Sequence, residues 1–127
     1  MTRYYDTLAT YNREGYDIIV EKTYEDMHPS DLFDDSEHDI KQLCEDIEYG
    51  NLDWFILQVR VLVEGLELGS SSTGGCLYKD AREVLTDGLA ENEIDVALAD
   101  AKSNVYRLSK VFAGLSEQVD RESACAR

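Results

Sequence analysis

A chain of 127 residues with 43% hydrophobic content is long enough to bury a core without disulfide staples. Its 27 acids against 12 bases leave a net charge of −15, which argues against direct binding to nucleic acid or anionic membrane and leaves room for a basic partner. No run of about 20 apolar residues occurs, so no membrane span is expected. The opening Met1-Thr2-Arg3-Tyr4-Tyr5-Asp6 lacks the apolar run of a signal peptide, and the expected location is a cytoplasm.

In chain order, Tyr4, Leu8 and Tyr11 suit a short helix over Thr2 to Tyr11, with Thr2 as its cap, and Asn12-Arg13-Glu14-Gly15 reads as a stop or turn. Tyr16 to Thr23 reads as a strand, with Tyr16, Ile18 and Val20 on one face and Ile19 on the other. His28-Pro29 breaks any regular element, because the proline ring pushes the residue before it toward an extended conformation. Ser36 is predicted to open the clearest helix, with Asp39 three residues on in a capping-box-like arrangement. Ile40, Leu43, Cys44 and Ile47 then form one apolar stripe, and Gly50 closes the helix in a left-handed cap position.

Asp53 to Val63 alternates cleanly. Phe55, Leu57, Val59, Val61 and Val63 make a uniformly apolar face, while Trp54, Ile56, Gln58, Arg60 and Leu62 make a mixed one, the pattern of a half-buried strand. A Glu64-Gly65 turn leads to a short strand, Leu66-Glu67-Leu68, and then to a loop of small residues from Gly69 to Cys76. Asp80 is expected to cap a short helix that carries Glu83 and closes at Gly88. Asn92 is expected to start the last helix, where Ile94, Leu98, Ala101, Val105, Leu108, Phe112, Leu115 and Val119 keep a 4-3-4-3 spacing without a break. That seam has two uses: packing across the protein's own sheet, or a homodimer contact with a second copy through Leu98, Val105, Leu108, Phe112 and Leu115. Residues 120–127 are expected to be a frayed tail. The predicted class is α+β, one domain over 1–127, with a small antiparallel sheet of about three strands covered by helices, the last one long and amphipathic.

Motifs for chemistry are sparse. The Gly69–Cys76 stretch superficially resembles a phosphate cradle, but a P-loop ends in Gly-Lys-Ser/Thr, and here Gly75-Cys76 stands in that place with the nearest base at Lys79. The acids around His38 lack the alternate spacing, glycine and closing glutamate of a calcium loop. Cys44, Cys76 and Cys125 show no zinc spacing, and an exposed Cys76 among glycines has no evident base to serve it. No catalytic residue, metal or cofactor is expected, and the chain is read as a non-enzyme.

The acidic block carries the functional reading. Between Tyr24 and Asp53 stand eleven acids and one base, Lys41, so this segment holds −10 of the −15. A helix of about 13 residues is about 20 Å long. Duplex DNA of that length shows about 12 phosphates, a comparable density of negative charge. Asp31, Asp34, Asp35, Glu37, Asp39, Glu45, Asp46 and Glu48 are the expected contacts to a basic protein surface. The run Trp54-Phe55, then Glu67-Leu68-Gly69-Ser70, then Gly74-Gly75-Cys76-Leu77-Tyr78 resembles a pattern found in small proteins of bacteriophages and other mobile elements. It covers about a fifth of the chain. The resemblance implies the company of restriction inhibitors and anti-CRISPR proteins, several of which imitate DNA. The expected partner is then a host CRISPR or restriction complex in the bacterial cytoplasm. The alternatives are a phage structural or assembly protein dimerising through the last helix, and a nucleotide-signal binding protein using the Gly/Ser stretch.

Overall fold

The computed structural model describes residues 5–34 and 39–125, with side chains as far as 117. Four strands, β1 (Tyr5–Arg13), β2 (Tyr16–Tyr24), β3 (Asp53–Val63) and β4 (Leu66–Tyr78), form one antiparallel sheet in the order of the chain. A nine-residue helix α1 (Ile40–Glu48) falls between β2 and β3, and the long helix α2 (Leu89–Cys125) follows β4. The α+β class with a long C-terminal helix is therefore observed, with four strands in place of three.

Both outer hairpins turn on Glu-Gly. Glu14 and Gly15 have φ of 54° and 85°, and Glu64 and Gly65 have φ of 51° and 79°. Positive φ at both central positions is the two-residue turn whose twist matches the flanking strands. The β2–β3 register sets Ile18 opposite Val61 and Val20 opposite Val59, which places the apolar residues of both strands on one face. α2 lies on that face, and Ile94, Ala97, Leu98 and Ala101 join Ile18, Val20, Phe55, Leu57, Val59 and Val61 in the core.

Four expectations are corrected. The Thr2–Tyr11 helix is instead strand β1 over its described part, Tyr5 onward. The register shifts between Thr7 and Ala9, so Leu8 is an extra residue, and Leu8 and Ala9 both pack against the core. The second correction concerns Gly69–Cys76, which is strand β4 and no loop. Its small residues let a helix approach: a Cβ on Gly69 would stand 2.5 Å from the Ala101 nitrogen and 2.6 Å from the Ala97 carbonyl oxygen. Third, α2 begins at Leu89, where the Asp87 carboxylate accepts from the Leu89 N–H at 2.9 Å, three residues ahead of the expected start at Asn92. The Asp80 element is a 3-10 turn, Ala81–Leu85, with the Asp80 carboxylate accepting from the Arg82 N–H.

The opposite face of the sheet is polar at its centre. Glu21 is 2% exposed and is bound through both oxygens by the Arg60 guanidinium, at 2.8 and 3.3 Å. At the Trp54 end the chain after β2 crosses this face. The Trp54 indole N–H donates to the Met27 carbonyl at 2.8 Å, the Phe33 ring lies 5.9 Å from the Trp54 ring, and Pro29 is buried. Among the described residues, no helix is long and apolar enough to cross a membrane.

Candidate interaction surface

The acidic block, described over residues 25–34 and 39–52, forms a lobe tied to the sheet through Glu25 and Trp54. The chief anchor is Glu25, 7% exposed, whose carboxylate accepts from the Met27 N–H at 3.0 Å and from the Gly75 N–H at 2.8 Å. Beyond it the chain makes a 3-10 turn, Pro29–Asp31, and then α1. Asp39 caps α1, its carboxylate accepting from the Gln42 N–H at 3.1 Å. The expected Ser36 start lies outside the described residues, as do Asp35, Glu37 and His38. Gly50, at φ 80°, follows the helix in the left-handed position expected of it. α1 buries no residue completely; Ile40, Leu43, Cys44 and Ile47 are half-buried on its inner stripe.

The acids divide into two groups. Glu25 is turned inward, and Asp53 accepts from the Ala81 N–H at 2.8 Å and pairs with Lys22 at 3.6 Å, so both serve the fold. Asp31, Asp34, Asp39 and Glu48 are exposed, and Glu45 and Asp46 half-buried. Glu45 and Glu48, three apart, share one flank of α1. Asp46 lies about 100° around from Glu45, holding the Gln42 amide at 3.1 Å and the Asn51 amide at 3.4 Å. At nine residues α1 is about 13 Å long, shorter than the sequence suggests, so the charge is carried by the lobe as a whole. The ion pairs among the described residues are Arg13–Glu91, Lys22–Asp53, Arg60–Glu21 and Lys102–Glu14. None of these four uses Asp31, Asp39, Glu45, Asp46 or Glu48.

The other candidate groups have partners of their own in the fold. Cys76 is buried, its thiol donates to the Thr73 carbonyl, and burial pushes its pKa up, the opposite of an activated nucleophile. Two β4 amides are already bonded to carboxylates: the Ser70 N–H donates to Asp100 at 3.2 Å and the Gly75 N–H to Glu25 at 2.8 Å. The buried Glu93 carboxylate accepts from the Ser71 and Thr73 hydroxyls, so a third carboxylate lines the same strand. Among the described residues no group of three or more His, Cys, Asp or Glu side chains is placed to hold a metal ion. One pairing has no signal in the sequence: the Cys44 sulfur lies 3.7 Å from His28 Nε2, and His28 Nδ1 is 2.7 Å from the Ser30 hydroxyl. His28 and Cys44 are sixteen residues apart, and only the fold of the lobe joins them.

The homodimer-contact residues also separate. Leu98 is 9% exposed and belongs to the core of the molecule, so it is no part of an open seam. Val105, Phe112 and Leu115 are 37%, 62% and 53% exposed, and Leu108 is half-buried. Asn104, whose side-chain amide donates to the Leu68 carbonyl at 2.6 Å, marks where α2 leaves the sheet. Comparison with protein-family models, with curated proteins and with solved structures finds no match for this chain.

Proposed function

We propose that this protein is a bacteriophage-borne inhibitor of the anti-CRISPR or antirestriction type, acting by binding and without catalysis. Its acidic lobe stands in for a nucleic-acid backbone in the basic groove of a host nucleic-acid-binding complex in the bacterial cytoplasm. One observation supports the reading: Asp31, Asp39 and Glu48, exposed, and Glu45 and Asp46, half-buried, lie in one segment of the fold and outside the four ion pairs. Charges so placed speed encounter with a basic surface and exclude competing phosphates. The phage setting rests on the resemblance of the Trp54–Tyr78 run.

The test is competition. Purified protein is titrated against a Cas effector complex and a restriction complex, each with labelled DNA, from about 50 to about 500 mM salt. Displacement of DNA is expected, weakening steeply as salt rises, and Glu45→Lys/Glu48→Lys should lose at least about tenfold in affinity. Binding indifferent to both salt and charge reversal removes the reading.

The exposed apolar stretch of α2 favours a second reading, a structural or assembly protein of a phage or mobile element, held as a dimer through that helix.

A further inference from the structure

The part of α2 beyond Asn104 projects from the sheet as an arm. From Val105 to Glu117 every residue except the half-buried Leu108 is exposed. Five of them are large and apolar: Val105, Tyr106, Val111, Phe112 and Leu115. Val105, Phe112 and Leu115, with the half-buried Leu108, stand three and four apart in one stripe, the width that a single helix buries.

We infer that this arm pairs with the same arm of a second copy, antiparallel, with Leu108 of each packed on Phe112 of the other and Val105 on Leu115. Three observations select this occupant and this orientation. The first is register. The seam is self-complementary under a reversal centred near Lys110, which uses Val105, Leu108, Phe112 and Leu115 together. A reversal centred one turn earlier would need Leu98 and Ala101, which the protein's own sheet already covers.

Charge is the second. The chain carries −15, yet its sixteen residues from Ala101 to Ser116 hold Lys102, Arg107 and Lys110 and no acid. Asn104, Ser109, Val111 and Ser116, which flank the seam, are uncharged, so nothing along the contact repels a second copy.

The third is the position of the two bodies. Parallel arms would set both acidic sheets side by side at a helix–helix spacing of about 8–10 Å. Antiparallel arms centred near Lys110 separate the two points where α2 leaves its sheet by about 18 Å along the axis, well beyond the screening length of about 8 Å at physiological salt. Repulsion between like bodies therefore favours the antiparallel form.

The contact is small. Four seam residues per arm fall short of the 20–30 residues a side of a standard interface, so a dissociation constant in the range of about 1–100 µM is expected. This inference rests on the exposed helix and sharpens the assembly reading, and it is independent of the acidic lobe.

Sedimentation equilibrium up to several hundred micromolar provides the first arm of the test, roughly the ceiling for a micromolar dimer. The expected result is a concentration-dependent species of twice 14.4 kDa, weakened at least about tenfold by Phe112→Glu, with the circular dichroism of the sheet unchanged. The second arm uses oxidation of a Cys44→Ala/Cys125→Ser background. Val105→Cys mixed with Leu115→Cys should cross-link, and Val105→Cys alone should not. A wild type that stays monomeric, a dimer indifferent to Phe112→Glu, the absence of the mixed cross-link, or self-linking of Val105→Cys would each overturn the inference. Self-linking means parallel arms and leaves the assembly reading standing. None of these outcomes bears on the inhibitor reading, whose test is DNA competition.

Discussion

Gly69 of β4 faces the backbone of Ala101 on α2 with no room for a methyl group: a Cβ there would lie 2.5 Å from the Ala101 nitrogen. The obstructing atoms are main chain on a packed helix and cannot rotate aside. Gly69→Ala is expected to cost about 1–3 kcal/mol, the usual range for overpacking. Urea unfolding should show the midpoint falling with the slope unchanged. Gly114, in the arm with nothing within 4 Å of its Cβ position, is the control. There, Gly114→Ala should raise helix stability by about 0.5–1 kcal/mol.

The Glu21–Arg60 pair predicts an asymmetry. Glu21 is 2% exposed, and its carboxylate is held by the Arg60 guanidinium. Arg60→Leu leaves a buried charge without its counterion, and a loss of about 3–5 kcal/mol is expected. Glu21→Leu combined with Arg60→Leu should recover most of it, since the penalty lies in the stranded charge. A double mutant as unstable as the single would show that the pair contributes more than its own desolvation.

Tyr78 predicts an alkaline transition. Burial first, and then its hydrogen bond to the Asp87 carboxylate at 2.5 Å, push its pKa from about 10 up to about 12. A folded-state pKa above the unfolded one means that Tyr78 leaves stability intact below about pH 10 and removes it as pH rises toward 12. Asp87 is shifted the other way by the same bond, so its contribution is present above the ordinary carboxylate range and is lost in acid. Tyr78→Phe should flatten the alkaline loss, measured by urea unfolding between pH 9 and about 12. A variant with an unchanged alkaline slope would place the titrating group elsewhere.

Thiol labelling separates the two described cysteines. Cys44 is half-buried beside His28 and should react with a thiol reagent in the folded protein. Cys76 is 5% exposed with its pKa raised by burial, and should react only on unfolding. In a Cys125→Ser background the folded protein is expected to show one fast thiol, and Cys44→Ala should abolish it.

What the amino-acid order discloses depends on how local the cause is. The alternation of Asp53–Val63, the Glu-Gly turns and the Gly50 cap are set by neighbours along the chain, and all are legible there. β1 is masked because the extra residue Leu8 interrupts the period of two, leaving Tyr4, Leu8 and Tyr11 at a helical spacing. β4 is masked because its glycines and serines answer to a helix about thirty residues away and mimic a loop locally. The acidic lobe was countable from composition. That Glu25 and Asp53 leave it to brace the sheet, and that His28 meets Cys44, depends on contacts between distant segments.

α2 is one unbroken helix with two surroundings. Up to Asn104 its backbone is shielded by the sheet, and opening it requires disrupting the core; beyond, in an isolated molecule, only the helix's own hydrogen bonds resist fraying. Amide deuterium uptake should therefore be slow through Ala101 and climb abruptly past Asn104. A second molecule laid along the distal turns would carry the slow region outward, so the boundary of protection would itself report whether the arm is occupied.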